Sequence, residues 1–402
     1  MLATEYVVKH ENNHADHQHT GRLYKIKALK GTGKNWFQLR VSVHLLILAL
    51  KTYGSVSRSI HVLRRLEKFK KDIIGPGETK IIQAYGKYYH YLYAPGYPSK
   101  IFDEYIVAEF NRISPVKRKV NLLNFLFFAI TRKCPLRCEH CFEWDNLNKK
   151  ESLDPDQLKA VVKKFQHEGL TQFHLSGGEP LTRIKDLTSL ISGADKVSEF
   201  YVLTSGFNFT SANAALLKRA GLTGVVVSLD HFDKEKHNAF RGFADSYTQA
   251  VNAVVYAQQQ QLVVALTICV TREFISWHNL LSYLELAKKL KVVFVQLLEP
   301  KAVGHYKDKD VYLSQSEMNI LEQFCVMMNF GAGYEDYPIV IYHGSYQRKL
   351  GCMAGGNRGL YIDTEGYVNA CPFCHTKNFN INELLENKNE FSTLMKSANC
   401  PI

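Results

Sequence analysis

No stretch of this 402-residue chain reaches the roughly 18–20 consecutive apolar residues that a membrane-crossing helix requires. The nearest candidate, Val41 to Leu50 with His44 inside it, is about half that length and reads as a buried or surface-lying helix. A phosphate-binding loop is missing too. Gly31-Thr-Gly33-Lys34 has the closing Gly-Lys pair, but Ala28 stands where the first glycine belongs and Asn35 where magnesium needs Ser or Thr. The opening Met-Leu-Ala-Thr-Glu lacks the apolar core of a secretion signal, and nine cysteines cannot all pair. A reducing, cytoplasmic setting is therefore expected, in which cysteines bind metal or stay as thiols.

Acidic residues run short in one region only. Residues 1–120 hold 21 Lys+Arg against 9 Asp+Glu, a net of +12, whereas residues 121–402 hold 29 of each. The hydrophobic content of 46% and charged content of 22% suit a globular chain with two or three units and an ample core. Residues 1–20, with His10, His14, His17 and His19, read as a disordered leader. Two helices are expected between Asn35 and Lys71. The second carries Ile60, Leu63, Leu66 and Phe69 at helical spacing, with Arg64, Arg65, Lys68, Lys70 and Lys71 around them. Such a helix packs its stripe into a core, or lies on an acidic partner or an anionic membrane surface. The tyrosine-dense run Tyr85 to Tyr97 reads as a hairpin or clasp that leads into a helix over 99–113.

After Asn121 the texture changes. Apolar runs at 125–130, 172–175, 200–203, 224–229, 262–270 and 292–298 read as strands, separated by helical stretches near 156–168, 184–193, 211–220, 246–260 and 278–290. Asp154-Pro155 suits a helix start. Six β units alternating with helices imply a parallel sheet with right-handed crossovers, here an open α/β partial (β/α)6 TIM-type barrel. The expected layout is a basic, mainly helical N-terminal domain over 21–120, the barrel over 121–310, and a small cysteine-rich region over 311–402.

The strongest chemical signal follows the first strand: Cys134-Pro-Leu-Arg-Cys138-Glu-His-Cys141. Three thiolates on one short loop can hold three irons of a cubane cluster and leave the fourth open to an outside ligand. A zinc site is the other reading, with His140 beside Cys141. Further polar residues stand where the later strands end, the edge at which such barrels build active sites. They are Ser176-Gly177-Gly178-Glu179-Pro180, Thr204-Ser205-Gly206, Ser228-Leu-Asp230 and Leu298-Glu299-Pro300.

Cys134-x₃-Cys138-x₂-Cys141, with Gly-Gly-Glu-Pro one strand later, resembles the radical S-adenosylmethionine (radical SAM) superfamily over about residues 121–300. The resemblance implies a [4Fe–4S] cluster held by Cys134, Cys138 and Cys141, its fourth iron completed by the amino and carboxylate groups of SAM. It also implies that Gly177, Gly178, Glu179 and Pro180 meet the methionine ammonium and that Thr204 and Ser205 lie near the ribose. Ser228, Asp230 and Arg241 would help hold ribose and carboxylate. The chemistry implied is reductive cleavage of SAM to a 5′-deoxyadenosyl radical that takes hydrogen from an unactivated C–H bond, in an oxygen-sensitive enzyme fed by an electron donor such as a flavodoxin or ferredoxin.

A second cysteine group comprises Cys352, Cys371, Cys374 and Cys400. Asp363-Thr364-Glu365-Gly366 reads as a turn joining 359–362 to 367–369, which brings Cys352 and Cys371 together. Four thiolates could close one auxiliary [4Fe–4S] cluster. The pattern resembles a shortened SPASM or twitch extension, which normally carries more cysteines; His375 or a substrate could replace Cys400, and a zinc knuckle is the alternative. Cys269 and Cys325 read as buried thiols. The substrate expected from the resemblance is a peptide or protein. The alternative is a small-molecule, lipid or cofactor intermediate, and the distant one a zinc-stabilised, non-enzymatic binding protein. Glu299, Lys301 and Tyr306 are candidates for contacting the substrate. Nucleic acid is not the expected partner.

Overall fold

The computed structural model describes residues 26–75, 77, 80–116, 123–352, 355, 357–374, 377 and 379–386. The histidine-rich leader, His375 and Cys400 lie outside the described residues. Three short strands, β1 (Lys27–Ala28), β2 (Ile82–Ala84) and β3 (Lys87–Tyr89), form a small antiparallel sheet. The helices Gly31–Tyr53 and Val56–Ile74 lie between β1 and β2, and Lys100–Ile113 follows β3. Ser99 caps that last helix by accepting from the Phe102 amide.

The barrel strands are β4 (Phe125–Ala129), β5 (Gln172–Ser176), β6 (Glu199–Thr204), β7 (Gly224–Ser228), β8 (Val263–Cys269), β9 (Phe294–Leu298) and β10 (Ile339–Tyr342). All seven pair in parallel with their neighbours. The intervening helices begin on ordinary caps. Asp154 forms a capping box with Gln157 ahead of Pro155, and Ser276 caps Trp277–Lys289. The barrel is thus the expected partial TIM type, extended by β10. Past it, β11 (Gly359–Ile362), β12 (Tyr367–Asn369) and β13 (Phe379–Asn380) form the expected hairpin plus one more strand. Its β11 pairs in parallel with β4, so the order β10-β9-β8-β7-β6-β5-β4-β11-β12-β13 is one ten-stranded open sheet.

Side chains alternate across the strands. Phe128, Phe173, Leu175, Val202, Val225 and Val264 point outward to the helices and form the main core. Phe125, Tyr201, Val226, Ala265 and Phe294 belong to a second cluster on the inner face, together with Ile82, Tyr89, Leu92 and Tyr93. The tyrosine clasp therefore closes the barrel floor. Its position is pinned by buried Glu199, which accepts from Lys87 Nζ at 3.2 Å, Gly96 N at 3.2 Å and Gln172 Nε2 at 3.3 Å. Gln296 of β9 donates to the Tyr93 hydroxyl at 2.7 Å.

Candidate active site

Strand β4 delivers the chain into the cysteine loop, and local polar contacts fix that loop's path. Thr131 Oγ1 and the Arg132 amide both donate to Glu151, at 2.5 and 3.0 Å. Asn148, with φ of 59°, clasps Cys134 from both sides: its Oδ1 accepts from Cys134 N and its Nδ2 donates to Cys134 O, each at 3.0 Å. The far end of the loop is held by the amides of Arg137 and Glu139, which donate to Arg241 O and Phe240 O. His305 N donates to Cys141 O at 2.9 Å, and its ring stacks on Trp144.

The Gly-Gly-Glu segment docks against the same loop. Gly178 N donates to Thr131 O at 2.8 Å and Glu179 N to Lys133 O at 2.7 Å. A Cβ on Gly178 would sit 2.4 Å from Lys133 O, and one on Gly177, whose φ is +142°, 2.4 Å from Thr131 O. Both obstacles are backbone, so only glycine allows this approach.

One cavity of about 320 Å³ collects the motif residues. Cys134, Cys138, Cys141, Gly177, Gly178, Glu179, Thr204, Ser205, Ser228, Asp230 and Arg241 all line it, as do Cys352 and Cys371. Pro180 is buried in the turn immediately beyond. Burial pushes the Cys134 thiol up to about 12 and raises Cys138 and Cys141 as well, so these groups are protonated in the metal-free protein and must release protons to bind metal. Among the described residues no three His, Cys, Asp or Glu side chains are gathered tightly enough for a single ion. A four-iron cubane holds its thiolates farther apart than one ion does. The donor set and the shared cavity wall fit a cluster facing that cavity.

The polar rim differs from expectation in how it is used. Glu179 is fully buried, and its carboxylate is already saturated. Oε1 accepts from Leu181 N at 3.1 Å and Thr204 Oγ1 at 2.8 Å; Oε2 accepts from Ser205 N at 2.8 Å and Ser205 Oγ at 2.6 Å. Four donors fill its four acceptor positions. A methionine ammonium would have to displace one of them or rely on the neighbouring backbone carbonyls. Asp230 and Arg241, expected at ribose and carboxylate, are each other's partner: Arg241 Nε donates to Asp230 Oδ2 at 2.5 Å, and Cys269 N donates to Asp230 Oδ1 at 2.9 Å. The Arg241 charge holds the Asp230 carboxyl below its usual range despite burial.

Further residues line the cavity without a sequence signal of their own: Tyr91, Tyr93 and Phe127 toward the floor, Phe142 and Phe373 under the hairpin, and Tyr342, His343 and Gln347 beyond β10. Their positions depend on long-range packing. Glu299 and Lys301 also face the cavity; Glu299 accepts from Tyr342 Oη at 2.5 Å and Arg348 Nη1 at 2.7 Å, and pairs with Lys301 at 3.2 Å. Tyr306 is buried and does not line the cavity; Lys309 stands over its ring, and the acidic groups nearest it include Glu139 and Glu273 rather than Glu299. Cys269 is a buried thiol as expected but does line it, whereas Cys325 packs away from it against Val340. Cys371 and Cys374 face each other across an isolated bridge, and a hydrogen bond from the Cys374 thiol lowers the Cys371 thiol below its ordinary range.

Known proteins converge on the same reading. Residues 128–286 match the Radical SAM superfamily. The chain is 25% identical over 259 residues to the PqqA peptide cyclase of Rhizobium meliloti, covering 61% of this chain and 67% of that protein. It is 30% identical over 188 residues to a GTP 3',8-cyclase of Moorella thermoacetica, covering 44% and 56%. Across such curated relatives the chain spans between 39% and 67% of their length. Its fold is shared with SuiB of Streptococcus suis, solved bound to the precursor peptide SuiA, at a TM-score of 0.53 and 12% identity over 74% of this chain and 70% of that one. No helix among the described residues is long and apolar enough to cross a membrane. The thiol loop and glycine edge that share one cavity thus lie within residues 128–286, the part of the chain that matches the Radical SAM superfamily, whose members work with a [4Fe–4S] cluster and S-adenosylmethionine.

Proposed function

We propose that this enzyme removes a hydrogen atom from a residue of a peptide or protein held at the mouth of the 320 Å³ cavity. The observation that carries the reading is the single cavity shared by the Cys134 loop, the Gly177–Gly178 edge and the Glu299–Lys301–Tyr342 group. When bound, the cluster and SAM supply an electron and a 5′-deoxyadenosyl radical. Cys134, Cys138 and Cys141 would hold the cluster, and the backbone of Gly177 to Pro180 would present its polar groups to the methionine end of SAM. Thr204, Ser205 and Ser228 form the rim that a ribose would meet. The apolar floor made by Tyr93, Phe125 and Phe127 excludes water from the reacting bond, which protects a radical from competing hydrogen donors.

Cys352 and Cys371, which line the same cavity, would with Cys374 bind one auxiliary cluster. The charged group Glu299, Lys301 and Arg348 would orient a peptide backbone or side chain through paired hydrogen bonds. The likeness to a peptide cyclase and the fold shared with a precursor-peptide enzyme support a peptide substrate. The likeness to a GTP 3',8-cyclase supports a second reading, a small-molecule substrate in the same cavity. A flavodoxin or ferredoxin would deliver the electron.

The test is isotope transfer. Anaerobically reconstituted enzyme is given SAM, a reductant, and either a deuterated short peptide encoded beside its gene or deuterated GTP. Deuterium in 5′-deoxyadenosine from the peptide supports the first reading. Transfer from GTP alone overturns it in favour of the second.

A further inference from the structure

The helix Gly31–Tyr53 is apolar on two faces, and among the described residues only one of them is packed. Its inner face places Phe37, Val41, Leu45, Leu48 and Ala49 in a cluster with Val62, Tyr97, Phe102, Ile106 and Phe110. On the outer face Trp36, Leu39, Val43, Leu46 and Ile47 are between 38% and 73% exposed. Their spacing follows the helical repeat, so they form one stripe about 16 Å long at 1.5 Å per residue. Val56 and Ile60 of the next helix are exposed as well. A helix apolar all round is ordinarily buried, and among the described residues nothing covers this one.

The surroundings of the stripe indicate its partner. The helix has no Asp or Glu, and Lys34, Arg40 and Lys51 lie along it. Across residues 31–75 nine Lys and Arg stand against Glu67 and Asp72 alone. A second copy docking stripe to stripe about a two-fold axis would bring these cationic margins against each other, which opposes self-association. An anionic bilayer satisfies both halves of the pattern: acyl chains receive the stripe and lipid phosphates the cations. Trp36 near one end suits the level of the headgroups.

We infer that residues 31–60 form a peripheral membrane-docking face for anionic lipid, with Trp36, Leu39, Val43 and Ile47 entering the headgroup–acyl boundary. This holds whatever substrate the cavity takes.

The test is sedimentation of the full chain with vesicles of equal phosphatidylglycerol and phosphatidylcholine, set beside vesicles of phosphatidylcholine alone. Binding is expected to the anionic vesicles, at least tenfold weaker to the neutral ones, and to weaken as salt rises. The variant Leu39→Gln/Ile47→Gln, with an unchanged circular dichroism spectrum, should lose at least tenfold in vesicle affinity. A second variant, Val43→Gln, guards against misfolding of the first and should weaken binding in the same direction. Absence of binding by the wild type overturns the inference, as does undiminished binding by both folded variants. So does a wild-type dimer that the variants convert to monomer while vesicle binding stays the same, because the stripe then belongs to a second copy. An acidic peptide that binds the stripe while anionic vesicles do not would equally overturn it.

Discussion

Arg241 donates from Nη1 to the sulfur of Cys138 at 3.6 Å while its other nitrogens grip Asp230. A buried cation thus stands against one thiol of the cysteine loop, and Asp230 fixes its direction. A hydrogen bond and a positive charge at a cluster sulfur favour the reduced, more negative cluster and raise its potential. In Arg241→Gln the midpoint potential should fall by roughly 60–130 mV, the one-electron equivalent of a charge-assisted hydrogen bond of about 1.5–3 kcal/mol. A redox titration followed by electron paramagnetic resonance reads this directly. Asp230→Asn/Arg241→Gln removes the stranded carboxylate as well and should show a smaller fall, that of the lost hydrogen bond; an unchanged potential in both would confine Arg241 to a structural role.

Glu179 offers a second test, because its four acceptor positions are all filled by protein donors. Glutamine would turn one acceptor into a donor facing Ser205 or Thr204. Glu179→Gln should therefore cost about 1–3 kcal/mol of stability, since buried groups lose their partners. Thermal or denaturant unfolding of the metal-free protein measures it. Unchanged stability with weakened SAM binding would instead assign the carboxylate to the methionine ammonium.

A third prediction concerns acid. Glu109 is buried between Arg358 and Arg112 and accepts from Asn124 Nδ2 at 2.6 Å. Although burial acts to raise it, these partners together hold its carboxyl below the ordinary glutamate value of 4.5. Its stabilising effect is thus complete above that value and is lost as pH falls through the lower folded-state value. Wild-type unfolding should steepen with acid below about pH 4.5, and Glu109→Gln should flatten that dependence. At neutral pH the variant should lose about 3–5 kcal/mol, as expected when one partner of a buried ion pair is removed. Urea titrations at several pH values decide it, and parallel pH profiles for the two proteins would count against the assignment.

Iron counting separates the two thiol groups. Reconstituted wild type should hold about eight irons if Cys352, Cys371 and Cys374 bind a second cluster. Cys371→Ala should fall to about four while retaining some SAM cleavage. Cys134→Ala should abolish cleavage. Unchanged iron in Cys371→Ala would remove the auxiliary cluster.

Much of this was readable along the chain because the barrel is built from local signals. Val263–Cys269 is apolar apart from Thr267, and Asp154-Pro155 starts the helix Pro155–His167 where capping chemistry says it should. Other parts left no such trace. The helix Lys234–Arg241 is mostly polar and buries only His237 and Arg241, so no apolar stripe marks it. Strand β10 has four residues behind Pro338, too short for its periodicity to stand out. The cysteine loop and glycine edge were legible as a motif, but not the saturation of Glu179 or the turn of Arg241 toward Cys138, which depend on contacts between distant strand ends. Nor could spacing tell that Tyr93 enters the barrel floor.

The pairing of β11 with β4 has a further consequence. Strand β4 runs into the Cys134 loop, and β11 opens the hairpin that leads to Cys371. The Cys134 loop and Cys371 therefore hang from strands of one hydrogen-bonded sheet, not from domains joined by a tether. Centres held at these two places would be spaced by the sheet, and an electron passing between them would not have to wait for two domains to close.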